Sequence, residues 1–336
     1  MKAIGYQHAN QLTSTSPLTD IELPMPSATG KDLLVKISAV SVNPVDTKVR
    51  QRADAEAGQW KVLGWDAAGI VEAVGDEVTE FKPGDTVFYA GDLTRSGSNA
   101  EYQLVDERLV GRAPKSLSMA QAAAIPLTAI TAWEMLFDRL KVDPKSNKSL
   151  LIIGAAGGVG SIMVQLAKQL TQLTVIGTAS RPESSQWLQS LGCDHIINHR
   201  QSMSEQLATL ELSDVDYVVS LTNSDDHLEE IAKIVAPQGQ FGLIDDPQRF
   251  DIMPFKMKSV SLHWEFMYTR SMFQTEDMAM QHQLLNRVAE LIDAGKLNTT
   301  LGETLSPINA SNLILAHQKI ESQRTIGKIV VEGFDR

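Results

Sequence analysis

The sequence predicts an α/β protein of two domains, one β-rich and one built on a doubly wound parallel sheet. Three observations carry this. A chain of 336 residues is too long for one ordinary core. Residues 1–115 read as short strands with turn punctuation and almost no helical periodicity. From residue 149 the pattern alternates strand and helix at the pitch of right-handed β-α-β crossovers.

In the first region, residues 33–42 alternate apolar with small or polar side chains after the turn signal Thr29-Gly30. Residues 64–74, 85–89 and 100–105 are further strands, the second of them preceded by the turn Lys82-Pro83-Gly84. The reading is an all-β domain shaped as a partly open barrel. Residues 118–140 switch to helix, with Ser118 as N-cap, and form the expected bridge into the second domain. There the strands fall at 150–153, 174–177, 195–197, 215–220, 240–244 and 260–266. Helices lie near 159–171, 183–191, 203–210 and 226–235. A long helix over 276–294, another at 310–320 and a strand at 328–331 fit no further crossover, so they are expected to return to the first domain.

The stretch S-L-L-I-I-G-A-A-G-G-V-G at 149–160 has the chemistry of a phosphate cradle. An apolar strand runs into Ala155-x-Gly157-x-x-Gly160, and Val159, Ile162, Met163, Leu166 and Leu170 then recur at helical spacing. Gly157 would let the backbone approach a pyrophosphate, Gly160 would let the helix pack on the strand, and the helix N-terminus offers free N–H groups. Ala155 stands where glycine is preferred; with Gly158 and Val159 it completes the expected loop. A tight turn that binds nothing is the competing reading.

Composition narrows the classes. Hydrophobic residues at 43% and charged residues at 21% describe a globular protein. A formal net charge of −11 argues against nucleic acid, whose phosphates call for clustered Lys and Arg. The one cysteine, Cys193, excludes an internal disulfide and fits a reducing cytoplasm. The first ten residues lack a signal-like apolar stretch, and no apolar run approaches membrane-spanning length.

Four blocks together resemble the medium-chain dehydrogenase/reductases: S-V-N-P-V-D-T-K at 41–48, G-W-D-A-A-G-I-V-E-A-V-G-D-E-V at 64–78, F-K-P-G-D-T-V at 81–87 and the glycine block. The chain is most similar to the zinc-free quinone oxidoreductase branch, and L-H-W-E-F-M-Y-T-R-S-M-F-Q-T at 262–275 resembles the zinc-type alcohol dehydrogenase-like proteins. The resemblance implies a GroES-like domain at 1–126 and 267–336, a Rossmann NADP(H)-binding domain at 127–266, and an active site in the cleft between them.

It also implies where a zinc would sit. Zinc members carry Gly-His-Glu where this chain has Gly64-Trp65-Asp66; their first cysteine ligand aligns with Asn43 and the other falls near Leu127. A catalytic zinc needs about three N, S or O ligands. None of these positions offers histidine or cysteine, the four-cysteine lobe is missing at 91–100, and the seven histidines show no ligand spacing. The expectation is metal-free chemistry, namely NADPH-dependent hydride transfer to a quinone or an α,β-unsaturated carbonyl.

Positioning would supply much of the rate, with Asn43 or Thr131 as hydrogen-bonding groups. Asp46 would brace Asn43 or Lys48, or else be a turn former, and Trp65 would line the cleft or sit in the core. An NAD site wants an acid about 20 residues past the glycine loop. Ala179 stands there, followed by Ser180 and Arg181, which suit a 2′-phosphate or else cap a helix. His199 replaces a phosphate-contacting tyrosine of related reductases, with a plain surface role as the alternative. Leu221 and Ile244 complete the expected cofactor contacts at the ends of the fourth and fifth strands.

Tyr268 and Arg270 are candidates to face the cleft, and Asp245-Asp246 to border the nicotinamide. None of the tyrosines is assignable as a proton donor. Two other classes stay open, a reductase of enoyl thioesters or alkenals and a non-catalytic NADPH-binding sensor. The aromatic-rich segment 259–266 would be an exposed edge strand, so a homodimer paired through it is expected.

Overall fold

The structure is a computed structural model that describes residues 1–14 and 17–335. They fall into two units, Met1–Ile130 with Tyr268–Arg336, and Thr131–Met267.

In the first unit, β1 (Lys2–Tyr6) pairs with β2 (Thr19–Glu22) and, further along the chain, with β4 (Lys61–Val62). The longest strand, β3 (Asp32–Val42), has almost every residue buried or half-buried and organises a second sheet. One edge of β3 pairs with β5 (Asp66–Val74), which continues to β6 (Thr86–Tyr89) and then β8 (Val110–Arg112). The other edge is shared between β7 (Tyr102–Asp106) and a strand from the chain's C-terminal part. This is the GroES-like β domain. The expected strands lie within two residues of those observed.

One helix was missed here. Residues Pro44–Arg52 form α1, although no apolar stripe announces it; its buried residues are Asp46, Thr47 and Arg50. The signals present were proline in the first turn and Asp46 at N3, whose carboxylate accepts the N-cap Asn43 N–H at 2.7 Å. The stretch expected as helix over 118–140 is broken. Ser118 caps α2 (Met119–Ala123) as expected, α3 (Pro126–Trp133) restarts at a proline, and Glu134–Arg139 is a π-helical turn.

The second unit is a Rossmann domain. Among the described residues its sheet has six parallel strands: β9 (Ser149–Ile153), β10 (Thr174–Thr178), β11 (His195–Ile197), β12 (Val215–Ser220), β13 (Val235–Leu243) and β14 (Ser261–Trp264). Their spatial order is β11-β10-β9-β12-β13-β14, so the direction of winding reverses between β9 and β12. Helices α4 (Gly158–Leu170), α5 (Pro182–Ser190), α6 (Met203–Thr209) and α7 (Ser224–Ile234) are the crossovers. Every residue of β9 is buried, as a strand covered on both faces must be. Leu151, Ile153, Val218, Phe241 and Phe255 belong to one core cluster of this sheet.

The chain then returns to the first unit with α8 (Thr269–Met272), α9 (Met280–Asp293), β15 (Leu301–Leu305), α10 (Ala310–Glu321) and β16 (Lys328–Glu332). Strand β16 is antiparallel to β3 with Ile329 opposite Val42, which puts Lys328 level with Asn43. Strand β15 was not expected; it pairs with β16 on one side, at the sheet's edge. No described helix is long and apolar enough to cross a membrane.

Candidate functional site

The Rossmann unit presents its candidate residues at the carboxyl ends of the strands, around the β9/β12 switch point. Strand β9 ends at Gly154, whose φ of +79° is left-handed and whose N–H donates to Thr178 Oγ1 at 3.1 Å. The tight turn is therefore made by Gly154. Ala155, expected in the loop, is fully buried packing instead. A Cβ on Gly160 would stand 2.3 Å from Ala155 O, so close packing of α4 on the turn requires glycine there. Gly157 differs. Its φ of −74° suits any residue, and a Cβ would meet only Gly154 O at 3.4 Å. As the N-cap it has no side chain to cap the helix, so first-turn N–H groups are left without a side-chain acceptor. Gly158 and Val159 are half-buried beside it.

Leu221 and Thr222 pack beside the turn: a Cβ on Gly154 would lie 2.9 Å from the Thr222 methyl and 3.6 Å from Leu221 Cβ. Ser180 and Arg181 follow β10, with Arg181 as the N-cap of α5. Its carbonyl accepts the Ser184 and Ser185 hydroxyls at 2.9 and 3.1 Å, so the helix-capping alternative holds for its backbone. His199 follows β11 and meets the His227 ring edge-on at 5.8 Å; burial, then His227, pushes its basicity below the ordinary imidazole value. Ile244 follows β13. The next residue, Asp245, has its carboxylate taken by Ser224 N (2.8 Å) and Ser224 Oγ (2.6 Å), at the start of α7. Its carboxylate is thereby tied to the start of α7. Thr131 is a buried residue of α3, assigned to this unit.

The β unit builds a closed polar cluster around Asn43. Its amide nitrogen donates to Ser41 O at 3.2 Å and Asp66 Oδ2 at 2.8 Å, and its Oδ1 accepts a short bond from the Lys328 ammonium. Lys328 also donates to Asp66 Oδ2 at 3.0 Å and Val42 O at 3.3 Å. Asp66 Oδ1 accepts Leu127 N at 2.7 Å, at the start of α3. Asp46 accepts Asn43 N at 2.7 Å and Gly64 N at 2.9 Å, so it braces the backbone on both sides. Burial pushes its carboxyl up to about 7, while those N–H groups and Lys328 pull the other way.

Two expectations change. Both amide hydrogens of Asn43 are committed inside the protein, so it fixes neighbouring groups and has no hydrogen to donate to a substrate. Trp65 is a core residue, 1% exposed, with its indole N–H on Asp92 O at 3.1 Å and its ring edge-on to Tyr268. Tyr268 and Arg270 are buried as well, Arg270 paired with Asp277 at 2.9 Å. A long hydrophobic block gives no sign of which residue faces inward until the register is known. Sequence reasoning also missed Lys328, which was read only as the start of a strand.

The residues present do not fit a zinc ion. Trp65 and Leu127 bring no side-chain donor that zinc accepts, and the oxygens of Asn43 and Asp66 that point together are held by an ammonium. Among the described residues no group of three His, Cys, Asp or Glu gathers as a metal site.

Comparison with known proteins places this architecture. Residues 29–115 match the family model described as the alcohol dehydrogenase GroES-like domain, and residues 191–331 that of zinc-binding dehydrogenases. A zinc-type alcohol dehydrogenase-like protein of Staphylococcus aureus (strain MSSA476) is 41% identical across 98% of this chain and 99% of its own length. A solved structure from Rhizobium etli CFN 42, described as a zinc-dependent alcohol dehydrogenase protein, superposes with a TM-score of 0.97 at 55% identity, covering 100% of this chain and 99% of that one. A 2-methylene-furan-3-one reductase of Solanum lycopersicum is 30% identical over 91% of this chain and 73% of that protein. Two domains of the family's kind, a nicotinamide-dinucleotide fold at the switch point and relatives aligned end to end agree: the chain belongs to the medium-chain dehydrogenase/reductase superfamily, with the zinc-type alcohol dehydrogenase-like proteins.

Proposed function

We propose that this chain is an NADPH-dependent oxidoreductase that delivers hydride to a quinone or an α,β-unsaturated carbonyl without zinc. The observation that carries the reading is the cluster at Asn43, where an ammonium is held by the oxygens a metal would need. Hydride abstraction from an unactivated alcohol leans on a Lewis acid, whereas a conjugated acceptor is already electron-poor. A bound reduced dinucleotide supplies the hydride. Gly157, Gly158, Val159 and Gly160 would take its pyrophosphate on the N-terminus of α4, with Leu221 and Ile244 beside it. Gly157 supports this, because neither its φ nor its neighbours demand glycine, and an approach from outside does. Ser180, Arg181 and His199 would meet the 2′-phosphate. The name of the tomato relative describes reduction of an enone, in keeping with the acceptor class.

The test is NADPH oxidation against a panel of quinones, enones, enoyl thioesters and simple alcohols. Turnover of the first two classes alone supports the reading; thioester turnover alone, or tight NADPH binding with no turnover, favours the alternatives named from the sequence. For the cofactor, Arg181→Ala should weaken NADPH about 10- to 150-fold, the worth of one charge-assisted hydrogen bond, and leave NADH nearly unchanged. Equal losses for both would make Arg181 structural.

We also infer a homodimer paired through β14. It is an edge strand of the Rossmann sheet, with Trp264 and the nearby Phe266 and Met257 exposed by 54%, 47% and 92%. Sedimentation should find a dimer at micromolar concentration, and Trp264→Lys should shift it to monomer. A monomeric wild type overturns this inference.

A further inference from the structure

Helix α5 presents Trp187 to the first turns of α4. The indole N–H donates to Ser161 Oγ at 2.8 Å, and that hydroxyl donates in turn to Gly157 O at 2.7 Å. Ser161 is fully buried and Trp187 half-buried. A helical serine satisfies its hydroxyl on the carbonyl four residues earlier, so the bond from a second helix is not needed for that. Gly157 O accepts twice, from Ser161 N at 2.9 Å and from the hydroxyl. In a trans peptide the C=O and N–H point in opposite directions. A Gly157 carbonyl held toward α4 therefore turns the Gly158 N–H out of the helix's N-terminal end. Gly157 supplies little restraint of its own, with an ordinary φ of −74° and space where a Cβ would be. Helix α5 and the loop also pack together over β10, where a Cβ on Gly177 would meet Leu188 Cδ1 at 3.0 Å and Ala155 Cβ at 3.1 Å. Arg181 is the N-cap of that same helix.

We propose that Trp187 is a positioning residue for the dinucleotide: through the Ser161 hydroxyl it fixes the Gly157–Gly158 peptide, whose N–H receives the pyrophosphate, and ties that loop to the helix that Arg181 caps. The pyrophosphate is common to NADPH and NADH, so this bond serves affinity for both and not the choice between them. The affinity arm of the proposal rests on the cofactor reading above; the loop arm does not.

The experiment compares wild type, Trp187→Phe, Ser161→Ala and the double variant by calorimetric titration with NADPH and NADH. Trp187→Phe keeps an aromatic ring and loses the N–H, so it should weaken both cofactors alike, about 3- to 10-fold, the worth of one neutral hydrogen bond. Wild-type affinity in Trp187→Phe overturns the proposal. Ser161→Ala should weaken both at least as much, and the double variant should lose no more than Ser161→Ala alone, because the indole acts through the hydroxyl. Additive losses overturn that route. Adenosine 2′-monophosphate carries the 2′-phosphate without a pyrophosphate, and its affinity should stay within about twofold between wild type and Trp187→Phe. A loss as large as that for NADPH makes Trp187 a packing residue of α5 only and overturns the proposal. If wild type binds neither dinucleotide, the cofactor reading fails, and hydrogen exchange of the ligand-free protein still decides the loop. Amides within 154–163 should exchange about 3- to 10-fold faster in Trp187→Phe than in wild type, with those of β12 unchanged. Equal exchange within 154–163 overturns the positioning role.

Discussion

Each unit of this protein buries two carboxyl groups beside one cation, and the two clusters solve the same electrostatic problem differently. In the β unit, Asp66 is paired with Lys328 and Asp46 lies within that cation's field, and their oxygens accept N–H groups of Asn43, Gly64 and Leu127. In the Rossmann unit, Glu134 and Glu265 meet Arg139, bonded to Glu265 Oε2 at 2.7 Å and 3.9 Å from Glu134. There the cation is 33% exposed instead of 4%, and the neighbouring Glu134 pushes the buried Glu265 carboxyl further above its ordinary range. All four acids are buried. The N–H donors and Lys328 pull Asp46 back toward its ionised form against its burial, whereas the second carboxyl beside Glu265 adds to burial and pushes it the other way. Burial is common to both clusters; the type of donor sets the difference.

The largest effect that sharpens the contrast is expected from Asp66→Ala. It strands the Lys328 ammonium, the Asn43 amide and Leu127 N in the interior at once. Breaking a buried pair on one side costs about 3–5 kcal/mol, a fall in thermal midpoint of roughly 10 °C for a domain of this size. Glu134→Gln should stay within about 1 kcal/mol of wild type, because it removes a carboxyl that opposes Glu265 and leaves Arg139 its closer partner, Glu265. Unfolding of both variants at neutral pH checks this, and equal losses would erase the distinction.

How much of this was legible in the sequence depends on range. The Rossmann strands and crossovers announced themselves because each is a local pattern, a buried apolar run or an amphipathic helix, bounded by turn residues. Helix α1 did not, since it buries Asp46, Thr47 and Arg50 and shows no stripe. Its proline and its N-cap pair were the usable signals. Gly154 was overlooked because the fingerprint was registered on Ala155, and only φ reveals which residue makes the turn. Trp65 and Tyr268 read equally well as cleft or core from the chain. Lys328 could not be found at all, because a lysine at the head of a strand looks solvated until pairing 285 positions away brings it to Asn43.

The smallest effect concerns pH. Burial first, then the Glu134 charge and hydrogen bond, raise the Glu265 carboxyl above its ordinary value of 4.5, with Arg139 opposing. A carboxyl raised in the folded state keeps its proton longer there than in the unfolded chain. Its stabilising contribution is therefore complete below about 4.5 and is lost as pH climbs through the folded value. Stability of the wild type should fall between pH 6 and 8.5, each pH unit counting for at most about 1.4 kcal/mol per proton held. Glu265→Gln cannot titrate, and its amide oxygen can still accept from Arg139. Its stability should decline less steeply and exceed that of wild type at pH 8.5 by roughly 1–2 kcal/mol. Asp46, raised to about 7, titrates in both proteins and cancels from the difference. Thermal unfolding of the pair at pH 6 and 8.5 measures it. Parallel curves would mean that Glu265 is ionised throughout this range, with Arg139 offsetting both its burial and the Glu134 charge.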